Sequence, residues 1–320
     1  MADRRLLLLD TSALYFRAFF GVPKTITTTD GRPVNAVRGL LDFIAKFVRD
    51  TGATDVVCCW DNDWRPDWRV SLVPSYKTHR VAGPADVPKG VALPIGAGGR
   101  GAASGVAEIA DQELSVQVPW IAAVLAAAGI AVVGADGYEA DDVIGTLAAN
   151  ADCPVDVVTS DRDLFQVVRE GVRLVYVAKG ISKAEYVDDA WLTDKYGITG
   201  AQYVDFSVMR GDPSDGLPGV AGIGEKTAAG LLTQYHDLEG IMAAPLAGAV
   251  AAKLAAAVDY IGPARQVVSV RTDLPLDDED YAFPSSPADP DKFAELAELL
   301  NLGAAADRLV AAMAAAGEKQ

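Results

Sequence analysis

Two histidines and three cysteines are all that 320 residues contain. Cys58, Cys59 and Cys153 cannot build a disulfide framework, and neighbours on a strand such as Cys58 and Cys59 face opposite ways, so a reducing interior is implied. No apolar run reaches membrane-span length without glycine, proline or charge. The run in MADRRLLLLD is too short for a secretory segment and stops at Asp10, which predicts a cytoplasmic protein. Positive charge is also scarce. Lys and Arg number 28 against 44 Asp and Glu, a net of −16 that argues against a general nucleic-acid-binding surface. What is present is 50% hydrophobic residues and 22% charged ones, the composition of a compact α/β or α-rich chain of one large domain or two unequal ones. The basic residues are unevenly spread. Trp64 to Gly105 holds six of them against two acids, whereas the tail from Asp273 is strongly acidic.

Apolar runs at 5–10, 55–61, 130–134, 155–161 and 172–177 read as strands, with helical periodicity between them at 35–50, 119–129 and from Tyr138 onward. Such alternation predicts a mainly parallel sheet flanked by helices, with ligands bound beyond the carboxyl ends of its strands. Three of these strands run into an aspartate. Residues 82–110 are dense in Gly, Ala and Pro and read as a long mobile loop. Beyond about residue 184 strand signals fade and only helices are expected, so we place a domain boundary between 1–183 and 184–320.

The acids at strand ends and helix starts are Asp10, Asp61, Glu139, Asp141, Asp142, Asp161, Asp163, Asp212 and Asp215. Any one alone reads best as an N-cap or a solvated turn. Together they are too regularly placed for that, and carboxylates crowded into one cleft cannot all ionise without cations. Oxygen-only ligation selects hard ions, two to three Mg²⁺ or Mn²⁺, and a pair about 4 Å apart suits in-line phosphodiester displacement. A phosphatase that opens with a strand ending in Asp needs a second Asp two residues on. Here Asp10 is followed by Thr11 and Ser12, which removes that reading.

LPGVAGIGEKTAAGLL, 217–232, places Gly222 and Gly224 around Ile223 at the start of a helix, with Lys226 and Thr227 in its first turn. This is a helix-hairpin-helix signature: bare backbone amides, a helix dipole and a lysine that grip a phosphate and read no bases.

The segments LLLLDTSALYFRAFF, TTTDGRPVNAVRGLLDF, CWDND, SYKTHR, GADGYEADDVIG, VVTSDRDLFQVV and GDPSDGLPGVAGIGEKTAAGLL resemble, in family order, the bacterial 5′-nucleases or flap endonucleases related to the 5′-exonuclease domain of DNA polymerase I. The resemblance implies a PIN-like α/β nuclease domain with an arch insertion at about 65–118, then an all-helical helix–three-turn–helix DNA clamp. It implies that all nine acids hold the metals directly or through water, and that a K⁺ sits on carbonyls of the glycine turn. Lys77 and Arg80 match arch residues that draw in the scissile phosphate. Arg17 matches a basic residue near the active site, and Tyr76 is a candidate to stack on a base. His79 and His236 read as surface residues, and Trp60, Trp64 and Trp68 as packing. The expected activity is metal-dependent hydrolysis of DNA at flaps, nicks, 5′-overhangs or junctions, leaving 5′-phosphates, by a free-standing monomer acting at the nucleoid in primer removal and repair, with RNA–DNA a further candidate substrate. A PIN-type ribonuclease is disfavoured by the hairpin and by Asp212 and Asp215, and a non-catalytic junction-binding module by the completeness of the acid set.

Overall fold

Buried apolar runs become the strands. In the computed structural model, which describes residues 4–81, 112–277 and 280–318, Leu6–Asp10 forms β1 and is buried along its whole length. Helices α1 (Thr11–Gly21) and α2 (Asn35–Thr51) lead to β2 (Asp55–Trp60), then α3 (Asp67–Leu72) and α4 (Gln112–Ala128). The expected mobile loop at 82–110 lies outside the described residues. Next come β3 (Ala131–Gly134), α5 (Ala140–Asn150), β4 (Val155–Thr159), β5 (Val172–Tyr176) and β6 (Glu185–Val187). The rest is helical: α6 (Asp189–Tyr196), α7 (Tyr203–Arg210), α8 (Glu225–Tyr235), α9 (Leu238–Ala243), α10 (Gly248–Ala256), α11 (Val258–Val268), α12 (Pro290–Leu299) and α13 (Ala304–Gly317).

The strand order is β3-β2-β1-β4-β5-β6, parallel throughout except for β6, which runs antiparallel to β5. The order reverses direction at β1, whose neighbours β2 and β4 come from different parts of the chain. A crevice therefore opens at the carboxyl ends of these three strands. β6 departs from the expectation of helices alone after residue 184; at three residues it is too short to show periodicity.

Strand alternation splits the core in two. Leu7, Leu9 and Cys58 pack on one face with α1, α2 and α4, while Leu6, Leu8, Val57 and Cys59 pack on the other with α5, α7, α8 and α11. The expected division at 184 is corrected by this packing. Phe283, Phe293, Leu296, Leu309 and Met313 return to the first face beside α2, and Arg308 pairs with Asp42 at 2.7 Å. Residues 184–320 are thus not one body: a middle helical unit covers one side of the sheet and the last two helices cover the other. α4 also begins seven residues before the expected Pro119. Proline removes one helix hydrogen bond, and here buried Gln117 ties the same turn, donating to Glu113 O at 3.3 Å and accepting from the N–H of Ala36 at 2.8 Å.

Candidate active site

β1 delivers Asp10 to the crevice, buried at 4% exposure. Its Oδ1 caps α1 by accepting from the N–H of Ala13 at 3.1 Å, and its Oδ2 accepts from the Thr159 hydroxyl at 2.7 Å across the β1–β4 pair. One residue beyond β2, Asp61 accepts from the N–H of Ala140 at 2.8 Å, which ties it to the start of α5. Beyond β4, Asp161 accepts from the N–H of Asp163 at 2.9 Å. Asp163 is buried, and its Oδ1 has no hydrogen-bond partner.

Glu139 and Asp142 form a capping box at the start of α5. Around Glu139 gather the Tyr76 hydroxyl at 2.8 Å, the Lys77 ammonium at 3.0 Å and the Arg69 guanidinium at 3.0 Å. Lys77 adopts a left-handed backbone (φ 47°), and its N–H donates to the carbonyl of Asp215 at 3.0 Å. That bond holds the loop carrying Asp212 and Asp215 against the SYKTHR segment. Gly216 makes the approach possible: at φ 72° a Cβ there would lie 2.1 Å from the Ser75 carbonyl oxygen. Asp215 faces Arg80 at 3.4 Å, and Asp212 is held by Arg210 at 3.1 Å and by the N–H of Ser214 at 2.9 Å.

Burial and mutual repulsion shift these acids upward. Asp10 is pushed up to about 7 by burial, with Asp61 and Asp161 adding like-charge repulsion against the relief from Thr159. Asp141 and Asp163 are held well above the usual carboxylate range, first by burial and then by Asp161. Asp61 and Asp215 are raised in the same way by burial. For Lys77, burial disfavours the charge, but Glu139 outweighs it and holds the ammonium protonated. Among the described residues no three His, Cys, Asp or Glu side chains already close around one point. The donor set is nonetheless all oxygen, one of its buried oxygens is unpartnered, and its repulsion is of the kind a divalent cation relieves. Hard divalent ions fit Asp10, Asp61, Glu139, Asp141, Asp161, Asp163, Asp212 and Asp215.

Two expectations change at this site. Tyr76 is 3% exposed with its hydroxyl spent on Glu139, so it is a buried support and no base can stack on it. Asp142 is engaged by Arg69, whose two terminal nitrogens reach its oxygens at 2.7 and 2.8 Å. The sequence marks Arg69 only as one of several basic residues; its place before a buried acid pair shows only in the fold. Arg17 donates to the Ala178 carbonyl at 3.2 Å, just past β5 and so at the same edge of the sheet. His79 and His236 are exposed, Trp60 is buried, and Trp68 packs between Arg69 and Arg271, each 4.6 Å from its ring.

The glycine turn opens α8. Gly222 has φ 75°, Gly224 caps α8, and Gly222, Gly224, Lys226 and Thr227 are all exposed. The Gly222 carbonyl accepts from the Lys253 ammonium of α10 at 2.8 Å.

The fold is thus a mainly parallel sheet flanked by helices, with buried acids at its carboxyl edge, followed by a helical unit that bears a glycine turn. The chain belongs to the 5′-3′ exonuclease family: residues 5–197 match its N-terminal resolvase-like domain and 198–291 its C-terminal SAM fold. It is 50% identical to a 5′-3′ exonuclease of Streptomyces coelicolor over 97% of this chain and 100% of that protein. It is 33% identical to DNA polymerase I of Mycobacterium bovis over 99% of this chain and 32% of the polymerase. The fold is shared with the bacteriophage T5 D15 flap endonuclease, solved as a pseudo-enzyme–product complex with DNA and metal ions, at a TM-score of 0.62 and 15% identity over 98% and 100% of the two chains. Among the described residues no helix is long and apolar enough to cross a membrane.

Proposed function

We propose that this chain is a divalent-metal-dependent 5′-nuclease and flap endonuclease that hydrolyses DNA phosphodiesters near single-strand/duplex junctions and leaves 5′-phosphates. The observation that carries the reading is the gathering of acids from the ends of β1, β2 and β4 with Asp215 of the helical unit in one crevice. When bound, two to three Mg²⁺ or Mn²⁺ ions supply the Lewis acidity and charge neutralisation for in-line displacement. Asp10, Asp61, Asp141, Asp161, Asp163, Asp212 and Asp215 hold them directly or through water, and Glu139 completes the set. Lys77 and Arg80, at the rim of the acids, neutralise the scissile phosphate. Arg17 contacts the strand at the same edge. Gly222, Gly224, Lys226 and Thr227 grip duplex phosphates away from the chemistry. A K⁺ on carbonyls of that turn belongs to the same proposal, and it would share the Gly222 oxygen with Lys253. The protein acts as a monomer on flaps, nicks, 5′-overhangs and RNA–DNA junctions, in the cytoplasm at the nucleoid. The net −16 is compatible with this, because binding needs a basic track and not a basic protein.

End-labelled flap, nicked and single-stranded DNAs and an RNA strand, each incubated with Mg²⁺ or Mn²⁺, test the reading. Short 5′-phosphorylated products from the flap and nick are expected. Cleavage of RNA alone would favour a PIN-type ribonuclease, and binding without products a junction-binding module.

A further inference from the structure

Arg69 is 2% exposed, and each of its nitrogens is engaged. Nη1 and Nη2 fork onto Asp142 at 2.8 and 2.7 Å, Nη1 also reaches Glu139 Oε2 at 3.0 Å, and Nε donates to the Val267 carbonyl in α11 at 3.0 Å. Asp142 is equally spent. Its Oδ1 also accepts from the N–H of Arg271 at 2.9 Å, and its Oδ2 from the N–H of Glu139 at 3.2 Å. A carboxylate offers about four lone-pair sites, and each of these oxygens already has two donors. An ion could take Asp142 only by displacing the guanidinium, which would strand a buried charge.

We infer that Asp142 is not among the ion-holding acids and that Arg69 and Asp142 form a positioning pair for Glu139. The planar guanidinium joins the Tyr76 hydroxyl, at 2.8 Å, in setting the direction of Glu139 Oε2, while Lys77 holds Oε1 from the SYKTHR segment. The pair also fastens the site to the helical unit, through Val267 at the end of α11 and Arg271 just past it. The orientation of Glu139 thereby depends on that unit being docked. The inference deepens the metal-dependent reading and rests on it.

Calorimetric titration of the full-length, metal-free protein with Mn²⁺ tests it, using wild type, Arg69→Lys, Asp142→Asn, the double variant and Asp141→Asn as a ligand-loss control. Asp142→Asn and Arg69→Lys should each bind as many ions as wild type, with affinity lowered roughly tenfold. The double variant should be no weaker than the worse single one, because the two residues act as one unit. Asp141→Asn should lose an ion or far more affinity. The inference is overturned if Asp142→Asn binds fewer ions, if the two losses multiply, or if Arg69→Lys binds as wild type does. Circular dichroism in EDTA checks folding, and should Arg69→Lys unfold, the ion count of Asp142→Asn decides. A wild type that binds no Mn²⁺ would overturn the functional reading and this inference together. Normal wild-type binding with an unaffected Arg69→Lys removes only the inference.

Discussion

The Lys77 ammonium lies 3.0 Å from Glu139 Oε1, enclosed at 9% exposure between the acids and the loop that carries Asp215. On the proposed function, this cation meets the phosphate that enters the crevice. Lys77→Ala should reduce single-turnover cleavage at saturating substrate roughly a hundredfold while binding changes little. Glu139 keeps Tyr76 and Arg69, so folding should persist. Rapid-quench kinetics beside a fluorescence-anisotropy titration read the two effects separately. A pure binding defect would contradict the assignment.

Lys226 should behave in the opposite way. It is exposed in the first turn of α8. Lys226→Ala should raise the apparent substrate constant, reduce the salt dependence of binding and spare the saturated single-turnover rate, with long duplexes affected most. The same kinetic pattern in both lysine variants would mean that clamp and catalytic roles have been wrongly divided.

Gly216→Ala tests the contact that brings the helical unit's acids to the sheet. The new Cβ would lie 2.1 Å from a backbone oxygen, at a φ of 72°. Relieving both should destabilise the protein by about 2 kcal/mol or more and displace Asp215 from Lys77. Thermal unfolding and cleavage rate should fall together. An unchanged melting temperature would show that the close approach is not needed.

Without metal, the buried acids should make the protein less stable as pH rises. The folded-state value of Asp10, about 7, lies above its ordinary 3.8, so between these values the folded protein binds more protons than the unfolded chain. Stability from this group is therefore present below about pH 4 and lost as pH climbs through about 7. Asp10→Asn removes that dependence. In EDTA its melting temperature relative to wild type should be higher at pH 8 than at pH 5, and Mn²⁺ should restore wild type at pH 8. A relative melting temperature independent of pH would refute the account of burial.

Much of this was legible because local patterns survive folding. LLLLD and VDVVT are buried on both faces, so their apolar character alone marks them as central parallel strands, and the aspartates that follow are carried to one edge by parallel pairing. What stayed hidden depends on long-range packing. The Arg69–Asp142 pair joins residues 73 positions apart in the chain, and nothing local separates a buried arginine from an exposed one. Tyr76 follows a polar serine in a basic stretch, where base stacking and a core position both fit the sequence; the fold places it in the core, its hydroxyl on Glu139. The return of α12 and α13 to the first face of the sheet is set by which apolar stripe they meet, information that lies in α2 and α4 and not in the helices themselves.

The central claim is that this acid crevice performs metal-dependent 5′-cleavage. It is tested most directly by single-turnover cleavage of a 5′-flap, comparing wild type with Asp161→Ala in Mn²⁺ and in excess EDTA. The account predicts rapid cleavage by wild type in Mn²⁺ and none in EDTA. It further predicts that a folded Asp161→Ala protein cleaves orders of magnitude more slowly at saturating Mn²⁺. Full cleavage in EDTA, or an Asp161→Ala variant as fast as wild type, would contradict it.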